Sequence, residues 1–285
     1  MFAFLLLFYV VTIPLSRHLY GLYRSIQSVA FTDRNGASLY IKPNARGNYT
    51  RAITEVPKRF KELILKKEDR YFYYHFGVNP VSMARGAYYY FTGKGRKGSS
   101  AITQQLVKIL LANEDKRTIA NKLVELLYAA SIEFHSSKDE ILLMYINTVY
   151  FGNQAQGLGE ASFYYFNKTL PQSLNDWEIV QLLATINNPS NQYPGSDANK
   201  EMSERLVKIF DLGDSPTLYF PGEAAVQYTG RKMPDFFELE RLSLECRDNP
   251  CVFTIDDKLT KNVRELVLYN LSTPEIGRAS CRERV

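Results

Sequence analysis

The 285-residue chain is predicted to be mainly α-helical. Three observations carry that prediction. Between residues 56 and 210 apolar positions recur at helical spacing between capping signals, with almost no strand alternation. Residues 1–16 carry no charge and are mostly Phe, Leu, Val and Ile. Past residue 212 the periodicity fades into a connector bearing Pro and Gly, and a β-like segment follows. The implied architecture is a helical domain with an apolar N-terminal helix and a β-containing C-terminal segment.

The N-terminal run is shorter than the roughly 20 apolar residues that span a bilayer. Continuing to Tyr23 lengthens it, with Arg17 able to snorkel. A membrane anchor, a signal-peptide core and a buried helix are the candidate readings. No basic residues precede the run and no small-residue cleavage site follows, which favours an uncleaved anchor over residues 1–23. Residues 30–54 read as a small juxtamembrane β element with a hairpin turn at Asp33-Arg-Asn-Gly36. Pro57 then opens a helix to about residue 67 that delivers Glu68 at its end.

Asn79 and Pro80 are a cap and a first-turn proline for a helix over 80–91. Its end, Tyr88-Tyr-Tyr-Phe91, suits either core packing or a bilayer interface. Gly93-Lys-Gly-Arg-Lys-Gly-Ser-Ser100 is a basic loop whose glycines permit close approach to an anion, or a solvated linker. Further helices are expected over 101–112, 117–135, 137–149, 160–166, 174–186 and 198–210. Ser137 with Glu140 forms a capping box, and Ser173 caps the helix at 174. The helical domain therefore runs over 55–211, a linker over 212–250, and a strand-then-helix segment over 251–275.

Composition narrows the function classes. An apolar fraction of 45%, 23% charged residues and a net charge of +5 describe a globular protein with a basic lean. That lean suits phosphates or an anionic membrane surface and gives no case for nucleic acid. Tyr (20) and Phe (17) exceed what a core needs and hint at a lipid or carbohydrate interface. Cys246 and Cys251 either pair or remain thiols, and no Cys–His set has metal-ligand spacing.

The stretch that carries chemistry is Glu68-Asp-Arg-Tyr-Phe-Tyr-Tyr-His-Phe-Gly77. Rings crowding an acid lower the local dielectric, so Glu68 is a candidate base, against a solvated acid pair at a capped helix end. Lys122 and Glu125 are either a routine surface pair or part of an anion site with Arg117 on the same helix, where about 100° per residue sets Glu125 between the cations.

Together these segments resemble glycosyltransferase family 51, the peptidoglycan polymerase domain of class A penicillin-binding proteins and monofunctional transglycosylases. The likeness covers roughly residues 55–210 in five ordered motifs. Glu68-Asp-Arg-Tyr-Phe72 with His75 and Gly77 matches the first. Gly98-Ser-Ser-Ala-Ile-Thr-Gln-Gln-Leu-Val-Lys108 matches the second, with Ser99 and Ala101 in place of a glycine and a threonine. Asn121-Lys-Leu-Val-Glu125 matches the third with Asn121 for an arginine. Ser137 through Gly152 matches the fourth with Leu143 for a glutamate. Tyr165-Phe-Asn-Lys168, with Pro189, Ser190 and Tyr193, matches the fifth without its glycine. Phe253-Thr-Ile-Asp-Asp-Lys-Leu259 looks like the opening of a truncated transpeptidase domain, although the chain has neither Ser-x-x-Lys nor Lys-Thr-Gly. Residues 276–285 resemble translated sequencing-adapter read-through and are set aside as an artefact.

The resemblance implies a lysozyme-like helical fold with a membrane-embedded lobe, on the extracytoplasmic side of a bacterial inner membrane. It implies polymerisation of lipid II onto a lipid-linked glycan with inversion, releasing a lipid pyrophosphate. Glu68 is then the general base and Glu125 the second catalytic carboxylate. Asp69, Phe72, His75, Ser100, Thr103, Gln104, Gln105, Lys108, Arg117, Lys122, Lys138 and Asn147 are the expected substrate-binding residues. Glu125 orients Lys122 or holds a divalent cation such as Mg beside the pyrophosphate, the one cofactor in question. The bilayer and other cell-wall synthesis proteins are the expected partners. Two other readings compete: a lysozyme-like lytic transglycosylase or glycan hydrolase, which needs no cationic clamp, and a degenerate scaffold, to which Ser99, Ala101, Asn121 and Leu143 lend weight.

Overall fold

The computed structural model describes residues 2–32, 34–35, 38–81, 100–112 and 118–213, with isolated positions between 84 and 92 and between 251 and 265. In chain order the elements are α1 (Phe2–Ser25), β1 (Val29–Thr32), β2 (Ser38–Lys42), β3 (Tyr49–Thr50), α2 (Lys58–Glu68), α3 (Ile102–Leu110) and α4 (Ile119–His135). These are followed by α5 (Lys138–Thr148), β4 (Ala155–Gln156), α6 (Leu158–Phe166), α7 (Asp176–Thr185), α8 (Asp197–Phe210) and β5 (Cys251–Val252). Short 3-10 turns sit at Phe72–Tyr74 and Pro171–Ser173. The chain divides into two units, Met1–Ser28 with Pro43–Gln227, and Val29–Lys42 with Tyr228–Val285.

The first unit is the helical one. Its core is the apolar face of α3 (Ile102, Leu106, Val107, Leu110) packed with that of α5 (Ile141, Leu142, Tyr145, Ile146). Phe60 and Ile64 of α2, Phe72 and Phe151 belong to the same core and are wholly buried. Each such side chain contributes roughly 1.5–3 kcal/mol by leaving water. The Ser137–Glu140 capping box forms as the sequence predicts: Ser137 Oγ accepts from Glu140 N at 3.2 Å and Glu140 Oε2 accepts from Ser137 N at 2.7 Å. The cap of α7 is Asn175, not Ser173. Asn175 exchanges bonds with Glu178, whereas Ser173 lies in a 3-10 turn and donates its hydroxyl to Leu170 O.

Asn167, standing where the resemblance expects glycine, ends α6 in the left-handed region at φ 53°. Asparagine is among the few residues that tolerate that conformation, so the departure is mild. In the second unit β1 and β2 pair antiparallel, with β5 parallel to β1; Asp33 and Gly36 of the expected hairpin turn lie outside the described residues. The 30–54 element is not one sheet, however. β3 belongs to the first unit and pairs in parallel with β4, since its edge is satisfied there from Tyr49 N to Gln154 O at 2.9 Å.

α1 is a helix across the expected anchor region. Its inner face packs on α4: Ser131 Oγ donates to Thr12 O at 2.9 Å, Thr12 Oγ1 and His135 Nε2 lie 3.0 Å apart, and the Phe8 and Phe134 rings are 5.0 Å apart. Leu7, Val10 and Val11 face outward. Among the described residues no helix is long and apolar enough to cross a membrane.

Arg59 ties α2 to α7 through a two-pronged contact, Nε to Asp176 Oδ1 at 2.8 Å and Nη2 to Asp176 Oδ2 at 2.6 Å. The guanidinium holds the Asp176 carboxyl below its ordinary range. A depressed folded pKa contributes stability that is full above the unfolded value, about pH 4, and is lost as pH falls through the folded value. Arg59→Met is therefore expected to lower the urea midpoint at pH 7, with the difference from wild type shrinking below about pH 3. A gap that is the same at both pH values would contradict this coupling.

Candidate active site

Glu68 and Asp69 are adjacent in sequence and part company in space. Glu68 is the last residue of α2, while Asp69 leaves the helix at φ −158°. Asp69 turns inward with a side chain only 1% exposed. Its carboxylate accepts from His75 Nε2 at 2.9 Å, from Asn79 Nδ2 at 3.2 Å and from the Ile102 backbone N–H at 3.2 Å. Since carboxylate oxygens only accept, the His75 proton is on Nε2. Asn79 also caps the helical residues that begin at Pro80, accepting from Val81 N at 3.1 Å. Ala101, the N-cap of α3, has no side-chain acceptor, and Asp69 supplies one to the first turn in its place.

Glu68 faces the other way. Lys67 donates to its Oε1, and Gln105 Nε2 donates to its Oε2 at 3.1 Å. Of the rings expected to crowd it, Phe72 is buried in the core and Tyr71, Tyr73, Tyr74 and Phe76 are exposed. A cation and an amide hold Glu68 where the sequence suggested aromatic walls.

From Gln105 the polar chain continues. Gln105 Nε2 also reaches the Ser100 carbonyl at 3.3 Å, the Ser100 hydroxyl lies 3.4 Å from Lys122 Nζ, and Lys122 Nζ donates to Glu125 Oε2 at 2.9 Å. Two carboxylates, an amide, a hydroxyl and two ammonium groups, Lys67 and Lys122, thus share one connected cluster built from α2, α3, α4 and Ser100 ahead of α3. Glu125 is buried, whereas Lys122 is 44% exposed at its side chain and open to an anion. Lys108, one turn beyond Gln105, makes no polar contact to another of the described residues.

Other expected binding residues serve the frame. Thr103 is fully buried and donates to Glu133 Oε1 at 2.6 Å, and Lys138 donates to the same oxygen at 2.7 Å while its ammonium sits 4.5 Å from the Phe72 ring centre. Gln104 accepts from Ala101 N. Asn147 gives both ends of its amide to the Ile53 backbone, at 2.9 and 3.0 Å. None of these contacts joins the Glu68 cluster. Arg117 lies outside the described residues, and α4 itself begins at Ile119, with Thr118 as the N-cap accepting from Asn121 N at 3.1 Å. Gly93–Ser99 and most of Tyr88–Phe91 also lie outside the described residues.

The sequence reading missed Lys67 and Tyr145. Neighbours on a helix do not ordinarily face one another, and α2 ends at Glu68, which frees Lys67 to reach it. Tyr145, whose hydroxyl donates to Gln105 Oε1 at 2.9 Å, reads as a core aromatic in the fourth motif. Among the described residues no three carboxylate, His or Cys side chains converge, and Lys122 occupies Glu125 Oε2.

The sequence profile of the Transglycosylase family matches residues 37–211. The chain is 35% identical to penicillin-binding protein 1F of Bacillus subtilis over 72% of its length and 28% of that protein's. It is 30% identical to penicillin-binding protein 1C of Escherichia coli over 82% of its length and 31% of that protein's. It thus spans about a third of these relatives. A crystal structure of penicillin-binding protein 1A from Haemophilus influenzae aligns with 77% of this chain and 24% of its own, at TM-score 0.33 and 13% identity. With the Glu68 cluster lying inside the matched residues, the chain belongs to the Transglycosylase family, and its helical domain is a glycosyltransferase domain of the class A penicillin-binding-protein kind.

Proposed function

We propose that this domain polymerises lipid II into glycan strands with inversion at the anomeric carbon. The 4-hydroxyl oxygen of the acceptor sugar bonds to the donor's anomeric carbon as its proton passes to a Glu68 carboxylate oxygen. The bond from that carbon to the lipid pyrophosphate breaks, and the pyrophosphate leaves with the electron pair. A sugar hydroxyl is a weak nucleophile, so a positioned base is required. The leaving pyrophosphate needs positive charge where its own charge develops. Lys122 supplies it, with Lys108 one turn from Gln105 on α3 and Glu125 holding Lys122 in place.

The observation that carries this reading is the connected run from Glu68 through Gln105 and Ser100 to Lys122 and Glu125, a base and a cation within one polar cluster. Membrane association on the extracytoplasmic face follows from a lipid-linked substrate. The outward Leu7, Val10 and Val11 of α1 are the apolar side chains on offer for it.

Incubation of the chain with labelled lipid II should yield polymeric glycan. Shortening of preformed glycan without any polymer would overturn the proposal in favour of a hydrolase or lytic enzyme. Lys122→Ala is expected to lower kcat/KM about 10²-fold through lost stabilisation of the leaving group. Stability should fall as well, by about 1–3 kcal/mol, because the buried Glu125 carboxylate loses its ammonium partner, so rates are compared at a temperature where both proteins are folded. Unchanged kcat/KM would remove Lys122 from the site.

A further inference from the structure

The base assignment above underlies one more inference. We propose that Tyr145 is a positioning residue for Glu68, acting through Gln105: its buried phenol locks the Gln105 amide with the NH2 end toward the carboxylate.

Tyr145 lies on α5 with no exposed surface, and its hydroxyl reaches Gln105 Oε1 at 2.9 Å. On the other side of the amide, Gln105 Nε2 meets Glu68 Oε2 at 3.1 Å and the Ser100 carbonyl at 3.3 Å. A glutamine amide has a donor end and an acceptor end, and its neighbours decide which way it turns. The Glu68 carboxylate and the Ser100 carbonyl can only accept. The NH2 group must therefore face them, Oε1 must face Tyr145, and the phenol must be the donor. Burial, and secondarily the charge of Glu68, push the Tyr145 hydroxyl well above its ordinary range, which keeps it a donor at any working pH.

Without that O–H, Gln105 Oε1 has no donor among the described residues. The amide is then free to turn its oxygen toward Glu68, which withdraws a donor from Oε2 and sets two acceptors against each other. Glu68 would be held from one side only, by Lys67. The loss falls on the direction in which the base points, not on substrate binding.

The test is a double-mutant cycle on the whole chain with lipid II as substrate, beside melting curves. Tyr145→Phe is expected to lower kcat about tenfold with KM changed less than about twofold. In a Gln105→Ala background it is expected to have no further effect on kcat. Equal losses in both backgrounds would mean a general packing role and overturn the proposal, as would a Tyr145→Phe enzyme at wild-type kcat. Should Tyr145→Phe fail to fold, Gln105→Met replaces it. That change removes the amide through which the phenol acts without adding a charge beside Glu68, so a fall in kcat of about tenfold with KM changed less than about twofold supports the proposal and unchanged kcat overturns it. A wild-type chain that makes no polymer, or a fully active Glu68→Gln chain, removes the base itself and Tyr145's role with it. An inactive Glu68→Gln beside an unaffected Tyr145→Phe removes the positioning role alone.

Discussion

Glu68→Gln is expected to lower the rate of glycan polymerisation by about 10²–10⁴-fold, the usual contribution of a positioned general base. The substitution keeps the length and shape of the side chain and one oxygen for each neighbouring donor to compete for, but it cannot take a proton. Lys67 and Glu68 are almost covered, with side chains 8% and 11% exposed, so some stability is lost when the charge pair is broken. Lys67 retains an amide oxygen to donate to, which limits the cost to about 1–3 kcal/mol. A domain of ordinary stability, about 5–15 kcal/mol, stays folded through that change. The informative measurement is therefore the initial rate of polymer formation from labelled lipid II at a temperature where circular dichroism shows both proteins native. A rate within tenfold of wild type would dismiss Glu68 as the base.

The helical domain was legible because its signals are local. The Ser137–Glu140 box, the Asn79–Pro80 start and the break after Phe210 each state a backbone preference within a few residues, and the structure follows them. For the candidate site, the ordered motifs made legible which segments meet, and less so which partner each side chain takes. Asp69, Thr103, Lys138 and Asn147 belong to the same motifs as Glu68 and Lys122, yet their partners are interior: His75, Glu133 and the Ile53 backbone. A motif records that residues must occur together. It does not separate those that touch substrate from those that hold the frame, because both sets are fixed by three-dimensional neighbours absent from the local pattern. Tyr145 illustrates this in reverse, since a phenol on the buried face of a helix reads as packing until its oxygen is found against Gln105. The pairing of β3 with β4, across a hundred residues, has no sequence signal at two residues per strand.

Asp69→Ala is expected to unfold the domain far more readily than Glu68→Gln, although the two acids are neighbours. The Asp69 carboxylate is shared by three donors from different parts of the fold: the His75 ring, the Asn79 amide ahead of the next helical residues, and the first turn of α3. Removing it strands a ring N–H, an amide and a backbone N–H in a place water does not reach, and each such orphan costs about 1–3 kcal/mol. A total loss of about 3–5 kcal/mol is expected, in line with the removal of one partner from a buried charged network. Ala101 cannot compensate, since as N-cap it offers no side-chain oxygen to the Ile102 N–H. Asp69→Asn should fall between wild type and Asp69→Ala, because an amide can serve some of these donors with its oxygen but turns its own NH2 on another. Urea midpoints at pH 7 should therefore decrease from wild type to Asp69→Asn to Asp69→Ala, with the m-value unchanged. If Asp69→Ala unfolds at the same urea concentration as wild type, the carboxylate is not the hub that joins α2 to α3. Activity measured on the surviving folded fraction separates the roles: substitution at Asp69 depletes the amount of native protein, whereas substitution at Glu68 leaves native protein that cannot accept the proton.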